Sequence, residues 1–131
     1  PARIAEALPE FFDRVLVDAP CSGEGMFRKE PVALQQHCVA LVKQCAELGA
    51  QILDCAAAAL APGGQLVYST CTVLPEENED VTGDFLDKHP EFEPVRTAFP
   101  LPVGPCPGQV TLWPQRHGTD GFYICRMRRK D

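Results

Sequence analysis

The sequence has no uninterrupted apolar run approaching the roughly 20 residues that a membrane-spanning helix requires, which speaks against an integral membrane protein. It has no basic, apolar, small-residue leader and opens on Pro1 without an initiator methionine, so a fragment or trimmed chain is expected. None of its seven cysteines stands in a Cys-x-x-Cys pair, and their number is odd. That usage does not fit a disulfide framework or a zinc site, so a reducing, cytoplasmic setting and no bound metal are expected. Positive charge is also in short supply. A net charge of -6 argues against this segment as the main electrostatic footprint for a nucleic acid, because phosphate binding needs a basic surface. The cations that exist cluster at Arg28-Lys29 and at Arg126, Arg128, Arg129 and Lys130, the second group being explained equally well as a solvated tail. There is no internal repeat and no low-complexity tract.

What is present fits one domain. The chain has 131 residues, 45% hydrophobic and 23% charged, enough to bury a core. Arg14-Val15-Leu16-Val17-Asp18 is a continuous apolar stretch closed by Ala19-Pro20, which suits a strand buried on both faces of a parallel sheet. A loop follows, Pro20-Cys21-Ser22-Gly23-Glu24-Gly25, whose glycines permit tight turns and whose proline ends the ladder. From about Val32 to Leu60, apolar residues recur at Leu34, Cys38, Leu41, Cys45, Leu48, Ile52 and Ala56, the spacing of one helix face, and Pro62-Gly63-Gly64 supplies the stop. Cys38 and Cys45 fall on that face as small buried thiols, and Cys55, Cys106 and Cys125 are read the same way.

Gln65-Leu66-Val67-Tyr68-Ser69 is a second strand of the buried kind, leading into Thr70-Cys71-Thr72. Strand, helix and strand make a βαβ unit with two parallel strands and a right-handed crossover. Pro75-Glu76-Glu77-Asn78-Glu79 opens another helix to about Lys88, and the helix dipole alone accounts for acids in that first turn. After Phe92 a proline-rich extended connection runs to Pro107, and Val110–Trp113 with Phe122–Cys125 reads as a closing β-hairpin.

Ligands of open α/β sheets bind beyond the carboxyl ends of the strands. Asp18 closes the first strand with Cys21 three residues on, and Cys71 follows the second. Adjacent strands lie about 4.8 Å apart, so one carboxylate and two thiols would converge on one crevice. A cysteine whose thiolate is stabilised is a strong nucleophile, and a carboxylic acid in a dry crevice can keep a raised pKa and protonate a ring nitrogen. Together they suit addition to an electron-poor ring. Spacing alone serves another account equally well, in which Asp18 caps its loop and both cysteines fill space.

The residues themselves carry a resemblance. Phe12 to Lys29, centred on Asp18-Ala19-Pro20-Cys21-Ser22-Gly23-Glu24-Gly25, resembles the fourth methyltransferase motif of the Sun-type (Nol/Nop/Sun) RNA 5-methylcytosine methyltransferases. Leu66 to Thr72, followed by Pro75-Glu76-Glu77-Asn78-Glu79, is similar to their sixth motif, and Trp113-Pro114 through Asp120-Gly121-Phe122-Tyr123-Ile124 to their final hairpin. The matches run in order over almost the whole chain, residues 1–131 being a partial catalytic domain from the fourth motif onward. The resemblance implies an α/β fold: the carboxyl-terminal half of a Rossmann-like S-adenosyl-L-methionine-dependent methyltransferase, two parallel strands plus a terminal antiparallel hairpin.

It also implies roles. Cys71 would attack C6 of a flipped-out cytosine in RNA. Asp18 would hydrogen-bond the ring nitrogen side so that C5 can accept the methyl group, and would border the cofactor with Pro20, which shapes the pocket. Cys21 would assist product release. The implied substrate is ribosomal RNA first and transfer RNA second, with the target base drawn out of any stack. The family's glycine-rich cofactor loop and adenosine-binding acids precede the fourth motif and have no counterpart here. The isolated chain is therefore expected to be inactive, and the bare edge of its first strand to be covered by another copy or by the missing N-terminal half.

The same residues admit three rival readings. In a DNA cytosine-5 methyltransferase Cys21 would attack, but Ser22 to Arg28 and Ser69 to Thr72 argue against it. A cysteine phosphatase needs an arginine six positions after its cysteine, whereas Arg28 lies seven after Cys21. A catalytically incomplete module that binds RNA or protein is the non-enzyme reading.

Overall fold

The computed structural model describes residues 2–20, 32–72, 74–95, 109–112 and 122–131. Its elements in order are α1 (Ala2–Ala7), β1 (Phe12–Asp18), α2 (Val32–Ala59), β2 (Leu60–Thr70), α3 (Glu79–Lys88), β3 (Phe92–Pro94), β4 (Gln109–Leu112) and β5 (Phe122–Arg129). They build a five-stranded sheet ordered β1-β2-β5-β3, with β4 also paired to β5.

The expected βαβ unit is present. β1 and β2 are parallel, with Arg14 opposite Gln65 and Asp18 opposite Ser69. The closing hairpin is present too: β5 runs antiparallel to β2, from Gln65↔Arg128 to Thr70↔Tyr123, and to β4. The chain thus has the expected α/β fold, a parallel pair extended by antiparallel strands.

Four particulars differ from the sequence reading. The helix ends at Ala59 and β2 begins at once, so Pro62-Gly63-Gly64 lies inside an 11-residue strand rather than between helix and strand. Between Phe12↔Leu60 and Arg14↔Gln65 the register shifts, so the three residues are taken up as a bulge. Gly63 lies there at φ 80, a region that side chains disfavour. Second, β3 forms within what reads as a connection, because Phe92, Glu93 and Pro94 find partners at Arg129, Arg128 and Met127 that are distant in sequence. α1 was likewise not foreseen.

Third, the buried face of α2 is rotated. Leu48 is 43% exposed, whereas Cys45, Leu53, Ala56 and Ala57 are buried. Gly49 sits on that face because the Tyr68 hydroxyl approaches it closely: a Cβ at Gly49 would stand 2.7 Å from that oxygen. Fourth, β1 is not covered on both faces by the described residues. Val17 is buried, but Leu16 is 69% exposed and the strand has a neighbour on one side only.

The core lies between the sheet and the two long helices. Leu53 and Ala57 of α2 and Val81 and Phe85 of α3 pack with Leu66, Tyr68, Tyr123 and Met127 of the central strands. The rings of Tyr68 and Tyr123 meet edge to face at 6.4 Å, and those of Phe85 and Phe92 at 5.1 Å. Cys125 is fully buried, as its role as small filler requires.

Candidate active site

The ladder between β1 and β2 continues one step past the last strand pair, with the Ala19 amide donating to the Ser69 carbonyl at 2.8 Å. The carboxyl ends of both strands therefore open on one side of the sheet, and Asp18 and Cys71 flank that mouth. Ser69 links them. Its hydroxyl donates to Asp18 Oδ1 at 3.0 Å, and Cys71 follows two residues later. Asp18, Pro20 and Cys71 are all exposed. The dry crevice that the sequence argument gave Asp18 is not formed by the described residues, and its carboxylate faces solvent. Cys21 lies outside the described residues.

The loop carrying Cys71 is fixed from beneath. Cys71 is exposed, yet its neighbours Thr70 and Thr72 are both at 0% exposure. Thr70 Oγ1 donates to Asn78 Oδ1 at 2.5 Å, and Asn78 Nδ2 donates to the Thr72 carbonyl at 2.9 Å. The Leu74 amide closes the turn on Thr72 Oγ1 at 3.2 Å. Asn78 is the residue before α3, where its side chain would ordinarily cap the helix, but it makes no cap hydrogen bond. The Asn78 carbonyl accepts instead from the Thr82 amide at 3.0 Å and from Thr82 Oγ1 at 3.2 Å. Thr82 Oγ1 lies 2.8 Å from the Tyr123 hydroxyl in β5. Tyr68 donates its own hydroxyl to the Glu77 carbonyl at 3.0 Å. Burial raises the pKa of both tyrosines, so they remain neutral members of this network.

Sequence reasoning singled out Asp18 and Cys71 as candidates but not Ser69, Thr70, Thr72 and Asn78, which bond to Asp18 or around Cys71. The signal available was Asn78 itself, a lone amide within a run of acids that the helix dipole explains without it.

The thiols divide into two kinds. Cys45, Cys55 and Cys125 are not disulfide-bonded; Cys45 and Cys125 are buried and Cys55 is half-buried, and burial raises the Cys45 thiol above its ordinary range, as suits inert filler. Cys71 is disulfide-bonded, alone among the cysteines whose side chains are described. A sulfur in that state cannot attack a ring, so only reduced Cys71 is chemically competent.

The C-terminal cations are not a solvated tail. Arg126, Arg128 and Arg129 belong to β5. Arg126 holds Gln65 Oε1 at 2.8 Å, Arg128 reaches Glu93 at 3.4 Å, and Arg129 reaches Glu10 at 2.9 Å and the Leu60 carbonyl. The cleft between α2 and α3, about 850 Å³, is acidic, with Glu47, Asp54, Glu79, Asp80 and Asp84 among its lining residues. Neither feature suits a phosphate backbone.

Among the described residues no group of His, Cys, Asp and Glu could hold a metal ion, and no helix is long and apolar enough to cross a membrane. For a sulfonium cofactor, the described strand mouth offers Asp18 and Pro20 but no glycine-rich turn beside them. These residues fit only the border of such a site.

Comparisons with known proteins place the chain beside rRNA methyltransferases. A family profile described as 16S rRNA methyltransferase RsmB/F matches residues 2–128. The ribosomal RNA small subunit methyltransferase F of Enterobacter sp. (strain 638) is 43% identical over 128 residues, 94% of this chain and 27% of that protein. The probable ribosomal RNA small subunit methyltransferase B of Bacillus subtilis (strain 168) is 42% identical over 126 residues, covering 92% of this chain and 28% of that one. The chain thus spans little more than a quarter of the length of these relatives. Among solved structures, NSun6 from Pyrococcus horikoshii with SFG aligns over 100% of this chain and 33% of its own, at a TM-score of 0.76 and 25% identity. A methyltransferase homologue from the same organism aligns over 95% and 40%, at 0.70 and 29%.

Proposed function

The chain belongs to the RsmB/F family of 16S rRNA methyltransferases, and from that membership we propose that it is the carboxyl-terminal part of an RNA cytosine-5 methyltransferase acting on ribosomal RNA, with transfer RNA as second choice. The observation that carries this reading is the pairing of Asp18 and Ser69 at the carboxyl ends of β1 and β2, two residues before Cys71.

Reduced Cys71, as thiolate, attacks C6 of a cytosine held out of its stack, forming an S–C6 bond and moving electron density to C5. Asp18 hydrogen-bonds the ring nitrogen side and stabilises that adduct. When bound, S-adenosylmethionine would supply the methyl group to C5 and leave as S-adenosylhomocysteine. Loss of the C5 proton and cleavage of the S–C6 bond then restore aromaticity, with Cys21 assisting release. Pro20 shapes the pocket wall. An rRNA substrate places the whole protein in the cytoplasm.

The isolated chain is inactive in this reading, since the cofactor loop and the main RNA grip belong to a preceding part of a longer protein. That part covers the outer edge of β1, where Leu16, Phe11 and Ile4 are exposed and an apolar groove of about 600 Å³ runs along the strand. A second copy is the alternative cover.

The test uses the complete enzyme under reducing conditions, with labelled RNA on a denaturing gel. Cys71→Ala should abolish methylation and the covalent adduct, while Cys21→Ala should let the adduct accumulate. The reverse pattern would make Cys21 the nucleophile. Normal methylation by both variants would overturn the reading.

A further inference from the structure

Asn78 places its side chain between the two residues that flank Cys71. Its amide is used at both ends, Oδ1 accepting from Thr70 at 2.5 Å and Nδ2 donating to the Thr72 carbonyl at 2.9 Å. All three are at 0% exposure, while the residue they enclose is exposed. The other side of Asn78 is anchored, its amide donating to the Pro75 carbonyl at 3.1 Å and its carbonyl bound by Thr82, which contacts Tyr123 of β5.

This connection is more than packing requires. A helix-capping asparagine ordinarily satisfies the first amides of its own helix. Here that role is forgone and the amide spans a loop instead. The Thr70 hydroxyl also lies 3.3 Å from the Thr72 carbonyl, but the Asn78 amide, with one acceptor and one donor, ties both flanking residues to the start of α3. Aspartate lacks the donor and would bring a buried charge against the Thr72 carbonyl.

We propose that Asn78 is a positioning residue for Cys71, acting with Thr70 to hold the peptide on both sides of the thiol so that sulfur meets the target carbon in one geometry. This rests on the reading of Cys71 as the nucleophile. Misplacement of a reacting atom by about 1 Å can cost on the order of 100-fold in rate, without any change in how tightly substrate binds.

The experiment measures the single-turnover rate of covalent adduct formation, RNA affinity and thermal melting in the complete enzyme under reducing conditions. Asn78→Asp removes the donor, Thr70→Val removes the hydroxyl while keeping shape, and Thr70→Ser restores the hydroxyl. Adduct formation at saturating RNA should fall on the order of 100-fold in the first two variants and stay near wild type in the third, with RNA affinity changed by no more than a few-fold. Should Asn78→Asp fail to fold, the valine and serine pair carries the test. Lower melting with an unchanged adduct rate would reduce Asn78 to a scaffold residue and overturn the proposal, as would Thr70→Ser being as slow as Thr70→Val. Adduct in wild type that does not depend on Asn78 sinks the positioning role alone. No adduct even in a Cys21→Ala background, where release is blocked, sinks the nucleophile reading, and the positioning role with it.

Discussion

Ser69 and Asp18 stand opposite one another at the last pair of the β1–β2 ladder, and the Ser69 hydroxyl donates to Asp18 Oδ1 at 3.0 Å. The bond sets the direction of a carboxylate that is otherwise exposed, so its removal should disturb chemistry more than folding. In the complete enzyme, Ser69→Ala is expected to lower kcat by about 10-fold and stability by about 1 kcal/mol, the net worth of one hydrogen bond. Steady-state kinetics beside denaturant melts would check it, and an unchanged kcat would detach Asp18 from the reaction.

Gly49 and Tyr68 give a prediction about packing. An alanine at Gly49 gains up to about 1 kcal/mol of helix propensity but crowds a buried hydroxyl, and overpacking costs about 1–3 kcal/mol. The Tyr68 hydroxyl is tethered to Glu77 and cannot easily yield, so Gly49→Ala should be destabilising on balance. Tyr68→Phe should relieve part of that loss, seen as non-additivity in urea melts of the four-member cycle.

The chain has two tyrosines, Tyr68 and Tyr123, and both are buried. Burial raises their pKa above the ordinary value of about 10. A raised folded-state pKa contributes stability that is complete below about pH 10 and is lost as pH rises above it, because the unfolded chain releases the protons first. Tyrosinate absorbance should therefore appear together with unfolding rather than before it. Titration of either ring in the folded chain near pH 10 would contradict the buried network.

Because Asp18 and Pro20 offer only a border to a cofactor, the 131-residue chain alone should bind S-adenosylmethionine weakly or not at all. Isothermal calorimetry settles this. Micromolar affinity would mean that the cofactor site lies within this chain.

The sequence by itself determined the βαβ unit, the helix before the closing hairpin and the hairpin itself, and it singled out the candidate groups Asp18 and Cys71. Continuous apolar runs at 14–18 and 65–69 pointed to two parallel strands, and those strands lie side by side, although β1 is left partly uncovered by the described residues. Asp18 and Cys71 were legible because ligand sites of such sheets gather at the strand ends, and local sequence marks where a strand ends. Tertiary structure decided what no local pattern encodes. Whether Pro62-Gly63-Gly64 separates two elements or bulges within one depends on Phe12 pairing with Leu60, 48 positions apart. β3 exists because β5 offers it an edge, and α2 turns Leu48 outward because Tyr68 needs the space above Gly49. Asn78 falls inside the first turn of a helix that the sequence opens at Pro75, and it reaches Thr70 and Thr72 only when β2 and α3 pack, because its amide chooses among partners that folding alone brings within hydrogen-bond reach.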